Sequence, residues 1–260
     1  MKLTVRANEW KNEKYPGLVG FANVSFDDNY MLEQVAIYQK KSGDYYIKLP
    51  SISEKIKDDN GNYIEGPDGN FKKETKEVFH PASVDARNAF TRSIVHAIRD
   101  NPGKECVDEN FLGDFKIDTA RIYPSTLDNN NQVGFGSVSF GDFILENVSL
   151  RKKKDSDDLY VSSVSRLRDT KDKDTGEIKK AYVDYFHPNT PEAAAELKEA
   201  VVNSYNENLA KGKDKAASAG ITADQTNSAA VTNDFDLGEI DMADFEDVLD
   251  TTNKNNNNSR

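Results

Sequence analysis

The chain repeats itself, and the repeat decides what unit has to fold. Val19-Gly20-Phe21-Ala22-Asn23-Val24-Ser25-Phe26 returns as Val133-Gly134-Phe135-Gly136-Ser137-Val138-Ser139-Phe140, an offset of 114. Leu32-Glu33-Gln34-Val35 returns as Leu145-Glu146-Asn147-Val148, Tyr45-Tyr46-Ile47 as Leu159-Tyr160-Val161, and Phe79-His80-Pro81 as Phe186-His187-Pro188. The order is kept while the offset falls from 114 to 107, so the first copy holds seven extra residues, in the Gly/Asp-rich stretch between Glu54 and Glu77. A loop tolerates such an insertion.

Within each copy apolar residues mostly alternate, with Phe21, Asn23 and Ser25 on one side and Ala22, Val24 and Phe26 on the other. A period of two predicts half-buried strands. Asn60-Gly61, Asp68-Gly69 and Thr175-Gly176 are hairpin-type turn signals. Each copy then changes period. Ser83 caps a helix with Ala86, Phe90, Ile94 and Ile98 on one stripe, stopped at Asn101-Pro102-Gly103. Thr190 and Pro191 open a second, with Ala194, Leu197, Val201 and Tyr205 leading to a stop at Gly212. The expected class is α+β: two tandem small antiparallel β-sheet domains of four or five strands, each ending in one amphipathic helix. They span residues 1–104 and 115–212 with a linker over 105–114, followed by a disordered acidic tail over 213–260. That tail carries 4 basic and 10 acidic side chains and ends in Asn255-Asn256-Asn257-Asn258, a composition that buries little.

The net charge of −11 gives no long-range attraction to DNA, RNA or an anionic membrane, so nucleic-acid binding requires a local basic patch. Cys106 is the only cysteine, which excludes an internal disulfide and a multi-cysteine metal site and fits a reducing, cytoplasmic location. No apolar stretch approaches the roughly 18 residues of a membrane span.

Residue types that could carry chemistry have simpler readings. His80 and His187 occupy equivalent places, but a His-Pro before a helix fixes the chain's direction with the imidazole bonding a backbone group, and His96 faces solvent or packs. Cys106 has no histidine near it in sequence and no helix start to lower its pKa. Gly134-Phe135-Gly136 with Gly141 sits in a strand pattern with no helix following, which marks a bulge rather than a dinucleotide loop. Acidic residues are too frequent for any chance pair to mark a hydrolase. The reading is therefore not an enzyme, with no catalytic residue, metal or cofactor.

Lys40-Lys41 and Arg151-Lys152-Lys153-Lys154 fall at nearly the same repeat position. Phosphate contact and a solvated hairpin end, partly neutralised by Asp155, Asp157 and Asp158, are both open readings. Tyr45, Tyr46 and Tyr160 on the adjoining strand either stack on bases or are ordinary strand residues. In the tail, Phe235, Leu237, Ile240, Phe245 and Leu249 alternate with acids from Asp234 to Asp250, the pattern of a segment that docks on a partner protein.

The repeated unit resembles the SpoVG family, small bacterial proteins named for a sporulation and septation phenotype. The resemblance rests on Ala22-Asn23-Val24-Ser25-Phe26, Leu49-Pro50-Ser51, Pro67-Asp68-Gly69-Asn70-Phe71 and His80-Pro81. In the second copy it runs through Ser137-Val138-Ser139-Phe140, Val164-Ser165-Arg166, Thr175-Gly176-Glu177-Ile178 and His187-Pro188. It covers residues 2 to 210 as two copies, and the tail has no counterpart in a single-domain member. It implies a compact sheet with a C-terminal helix, dimeric, that binds DNA or RNA weakly as a regulator without catalysis. One chain with two copies would then be a monomeric pseudo-dimer. Family members carry basic residues after the Pro-Ser segment. The second copy keeps them in Arg166 and Arg168, whereas in the first Ile52, Ser53 and Glu54 precede Lys55 and Lys57. The expected nucleic-acid-binding set is Lys40, Lys41, Lys48, Lys55, Arg151, Lys152, Lys153, Lys154, Arg166 and Arg168. The alternative function is a protein-interaction adaptor working through the tail.

Overall fold

The computed structural model describes residues 1–218 apart from 59, 60, 68, 126–130, 155 and 172–175, with backbone only for 168–171, 179 and 213–218. The expected tail segment with Phe235, Leu237, Ile240, Phe245 and Leu249, and the side chain of Arg168, lie outside the described residues.

The fold is mixed α+β with antiparallel strands throughout. Strands β1 (Leu3–Glu9), β2 (Leu18–Phe26), β3 (Tyr30–Gln39), β4 (Tyr45–Lys48), β5 (Ser51–Lys55), β6 (Lys73–Glu77) and β7 (Phe79–Pro81) lead to helix α1 (Val84–Asp100) and strand β8 (Glu105–Asp108). Strands β9 (Ile117–Pro124), β10 (Gln132–Phe140), β11 (Phe143–Lys152), β12 (Leu159–Ser162), β13 (Ser165–Lys171), β14 (Ile178–Asp184) and β15 (Phe186–Pro188) lead to α2 (Pro191–Ser218). The second series repeats the first in order, without a counterpart of β8. The expected four or five strands per copy become seven, because the chain between β4 and the helix makes a separate two-stranded ribbon, β5–β6 or β13–β14, and then one more short strand. Residues 105–108, expected in a linker, pair as β8 with β1.

The two short strands cross between the halves. β7 pairs with the start of β11, Phe79 opposite Leu145 and Pro81 opposite Phe143, and β15 pairs with the start of β3, Phe186 opposite Leu32 and Pro188 opposite Tyr30. A proline is tolerated there because it closes the strand. Each exchange buries one phenylalanine completely, and Phe79 and Phe186 stack on each other at 4.6 Å between ring centroids. Around them Phe26, Phe90, Phe115, Phe140 and Phe143 join one continuous core drawn from both halves. A fully buried phenylalanine contributes about 1.5–3 kcal/mol by area removed from water, so this aromatic centre holds the halves together.

The helices close the inner faces. Ser83 Oγ accepts from the Ala86 N–H at 3.1 Å, and Ala86, Phe90, Ile94 and Ile98 are buried as their spacing predicts. Thr190 Oγ1 accepts from the Ala193 N–H at 3.2 Å. The buried stripe of α2 begins at Ala193 rather than the expected Ala194 and continues through Leu197 and Val201. The helix also runs through Gly212 to Ser218, since a single glycine in an exposed helix costs only about 1 kcal/mol. The glycines of β10 do sit at bulges: its pairing with β11 shifts register on both sides of Gly136, and β2 shifts against β3 at the equivalent places. A Cβ at Gly136 would overlap the Arg121 carbonyl oxygen, so only glycine lets β9 come this close.

Candidate nucleic-acid interface

Strand alternation leaves each sheet one face free of its helix. On the second sheet, Ile122, Val138, Leu145, Val148 and Leu150 point into the core, and the residues between them form the outer face. It carries three exposed rings: Tyr123 on β9 (53% exposed) lies directly opposite Phe135 on β10 (37%), and Tyr160 on β12 (39%) lies opposite Arg151 on β11. Between the rings the floor is low. Phe135 faces Ser149, Ser149 faces Ser162, and Arg121 faces Ser137. Arg121 is exposed, and the Arg151 Nε is buried without a hydrogen-bond partner.

The outer face of the first sheet has related chemistry in a different state. Register puts Phe21 where the second sheet has Phe135, Tyr46 where it has Tyr160, and Tyr38 where it has Arg151. These rings are engaged with one another and with local cations. Trp10 packs edge-on against Phe21 at 5.8 Å, and Tyr38 stacks on Tyr46 at 5.2 Å. Lys48 Nζ lies 4.8 Å from the Tyr38 ring centroid and Lys40 Nζ 5.9 Å from that of Tyr46. Burial, with Tyr46 alongside, pushes the Tyr38 phenol above its usual range.

The ribbons extend from these faces across to the opposite half. Arg166, at the start of the β13–β14 ribbon, donates from Nη2 to Glu33 Oε2 at 2.9 Å, both side chains being nearly buried. His187 Nε2 lies 3.6 Å from Glu33 Oε1, while its Nδ1 lies 3.3 Å from the Pro188 carbonyl oxygen. The hydrogen bond to Glu33 raises the His187 pKa above its usual value. Burial likewise holds the Asp184 carboxyl above the usual carboxylate range, although it accepts from the Ser163 N–H. In the first half the register equivalent of Arg166 is Ile52, so that among the described residues the ion-pair partner of Glu146 is His80, at 3.7 Å. Arg87 from α1 instead pairs with Glu77. A groove of about 1100 Å³ opens here between the β5–β6 ribbon and Phe135, lined also by Lys48, Lys76 and His80.

The expected cations thus divide by environment. Lys40 and Lys48 lie over tyrosine rings, and Lys55 lies 5.0 Å from the Phe71 ring centroid. Lys41 is exposed in the β3–β4 turn. Lys152 and Lys153 pair with Asp157 and Asp158, at 2.6 and 3.6 Å, and Lys154 is exposed beside them. Arg166 is placed inside the fold, not on its surface. Arg151 stands opposite Tyr160 in register, with its charge near enough to Asp184 to favour that carboxylate. Sequence reasoning missed Tyr123, Phe135 and Arg121, although the repeat had already put Phe21, and with it Phe135, on the side of Asn23 and Ser25 that faces away from Val24 and Phe26. His80 lies 3.1 Å from the Pro81 carbonyl oxygen, as the local reading expects, and His96, exposed to solvent as one of its two readings had it, also pairs with Asp100 at 2.7 Å. Among the described residues no helix is long and apolar enough to cross a membrane, and no cluster of ligating side chains could hold a metal. Comparison with family models, curated proteins and solved structures finds no match.

Proposed function

We propose that this chain is a nucleic-acid-binding regulatory protein, in which two SpoVG-like copies form within one chain the pair that separate subunits form in that family. The observation that carries the reading is the outer face of the second sheet, where exposed Tyr123, Phe135 and Tyr160 stand beside Arg121 and Arg151. Aromatic rings on an open sheet give stacking surfaces for bases, and guanidinium groups beside them give phosphate partners. The reciprocal strands β7 and β15 support the pseudo-dimer. Protein net charge opposes binding, so affinity comes from this local face.

The test is a fluorescence-anisotropy titration of the full chain with labelled oligonucleotide over a salt series. Log affinity should fall with log salt at a slope of about −2 to −3, the value for three or four phosphate contacts. Neutralising Arg121 and Arg151 together should flatten it by about 1.4. Absence of binding at low salt contradicts the reading.

A second reading, in which the body rather than the tail docks a protein partner, is favoured by one separate observation. Leu167, Ile178 and Tyr182 share one face of the β13–β14 ribbon, and all are exposed. If that strip serves a protein partner, a Tyr182→Ser variant abolishes capture of the partner while leaving oligonucleotide affinity and its salt slope intact.

A further inference from the structure

We infer that the ligand of the second sheet's outer face is an unpaired nucleic-acid strand, laid across β9 to β12 and along the groove beside the β5–β6 ribbon, and that the matching face of the first sheet takes no part. This rests on the nucleic-acid reading above and names its substrate class.

The argument begins with shape. Four strands at about 4.8 Å spacing make a platform some 15 Å wide, broader than the roughly 12 Å major groove of a duplex. Its rings therefore reach base edges only if the duplex is bent and its groove widened, and in a duplex the base planes are already stacked on one another. Tyr123 with Phe135 forms one stacking surface and Tyr160 a second, two strand spacings or about 10 Å further across the sheet. Ser137, Ser149 and Ser162 keep the floor between them low enough for bases to lie flat. An unpaired strand offers what such a surface can use, namely free base faces with a flexible backbone.

Charge supports the same occupant. Arg151 stands opposite Tyr160 with its Nε unpartnered, and Arg121 is exposed two residues from Tyr123. In the adjoining groove Lys48, Lys76 and Arg87 are balanced by Glu54, Glu77 and Glu146, so that stretch adds no net attraction for a polyanion and any contact there rests on Phe135.

The first sheet shows the alternative state. Its equivalent rings are covered by Trp10 or stacked as Tyr38 on Tyr46, and the opposite ribbon is clasped to it by Arg166 on Glu33. Ile52, buried in the core at the position equivalent to Arg166, gives the second face no such ion pair.

The deciding experiment titrates the full chain with a labelled single strand of about 16 nucleotides, and then competes it with the unlabelled single strand or the blunt duplex of the same sequence. The duplex should compete about tenfold or more weakly at equal salt. Tyr160→Ala and Tyr123→Ala should each weaken single-strand binding by about 5- to 150-fold, the range for loss of one stacked base. Tyr160→Phe should bind like wild type, and Tyr38→Ala should leave affinity unchanged. Tyr123 is 53% and Tyr160 39% exposed, and an unaltered unfolding midpoint verifies that each variant is folded. Equal competition by duplex, or Tyr160→Ala and Tyr123→Ala variants that bind like wild type, overturns the inference while leaving nucleic-acid binding standing. If the wild-type chain binds neither form at low salt, both fall together.

Discussion

Arg166 and Ile52 hold equivalent positions and give the two halves different surfaces. Removing the guanidinium takes from the nearly buried Glu33 its ion pair with Arg166. Breaking such a pair costs about 3–5 kcal/mol, so Arg166→Ala should lower the denaturant midpoint sharply while leaving the salt slope of oligonucleotide binding unchanged. A changed slope would return Arg166 to the binding surface. His187 adds a pH dependence of known sign. Its pKa is raised in the folded chain, chiefly by Glu33, so the stability it contributes is fully present below its unfolded value near 6.5 and is lost as pH rises through the higher folded value. His187→Gln should therefore lower the thermal midpoint at pH 5.5 and cease to matter at pH values well above that raised pKa; an equal loss at both extremes would show that the ring acts only by packing. The bonding of the two His-Pro pairs was readable from sequence because it is local. The engagement of Arg166 was not, because Glu33 is more than a hundred residues away and a basic residue in a strand looks the same whether it faces solvent or a carboxylate.

The elements themselves followed from short-range pattern. Period two gave the long strands, and Ser83 and Thr190 gave the helix starts. The exchange of β7 and β15 was hidden for a physical reason: three residues carry no usable period, and repetition makes the two possible partners nearly identical, Leu32-Glu33 at the start of β3 and Leu145-Glu146 at the start of β11. Pairing across the halves places Phe79 against Phe186 in a shared core. Truncating either ring in a close-packed interior costs about 3–5 kcal/mol. Phe79→Ala and Phe186→Ala should each shift a single cooperative denaturation curve, because neither half keeps its core when the other unfolds. Two separated transitions, with only one moved by each variant, would contradict the shared core. The outer face was legible only in part. Tyr160 and Arg151 stood out beside the basic run, but Tyr123 and Phe135 meet through register between β9 and β10, which alternation within one strand does not reveal.

At the scale of the whole molecule, an acidic segment follows Ser218 in a chain whose proposed binding face carries only a few arginines. Tethering gives an effective concentration in about the millimolar range, so even weak contacts of the acids from Asp234 to Asp250 compete with phosphates. Ending the chain after Ser218 should tighten oligonucleotide binding at low salt, with the gain fading near 0.15 M, where charges are screened beyond about 8 Å. Equal affinities across the salt series would leave the tail no part in that competition. The most direct test of the central claim is to photocrosslink a single-stranded oligonucleotide carrying a halogenated uracil to the full chain and map the adducts by mass spectrometry. Adducts should fall on Tyr123, Phe135 or Tyr160. Adducts confined to Tyr38 and Tyr46, or to the Lys152–Lys154 turn, would contradict an open second face beside a closed first one.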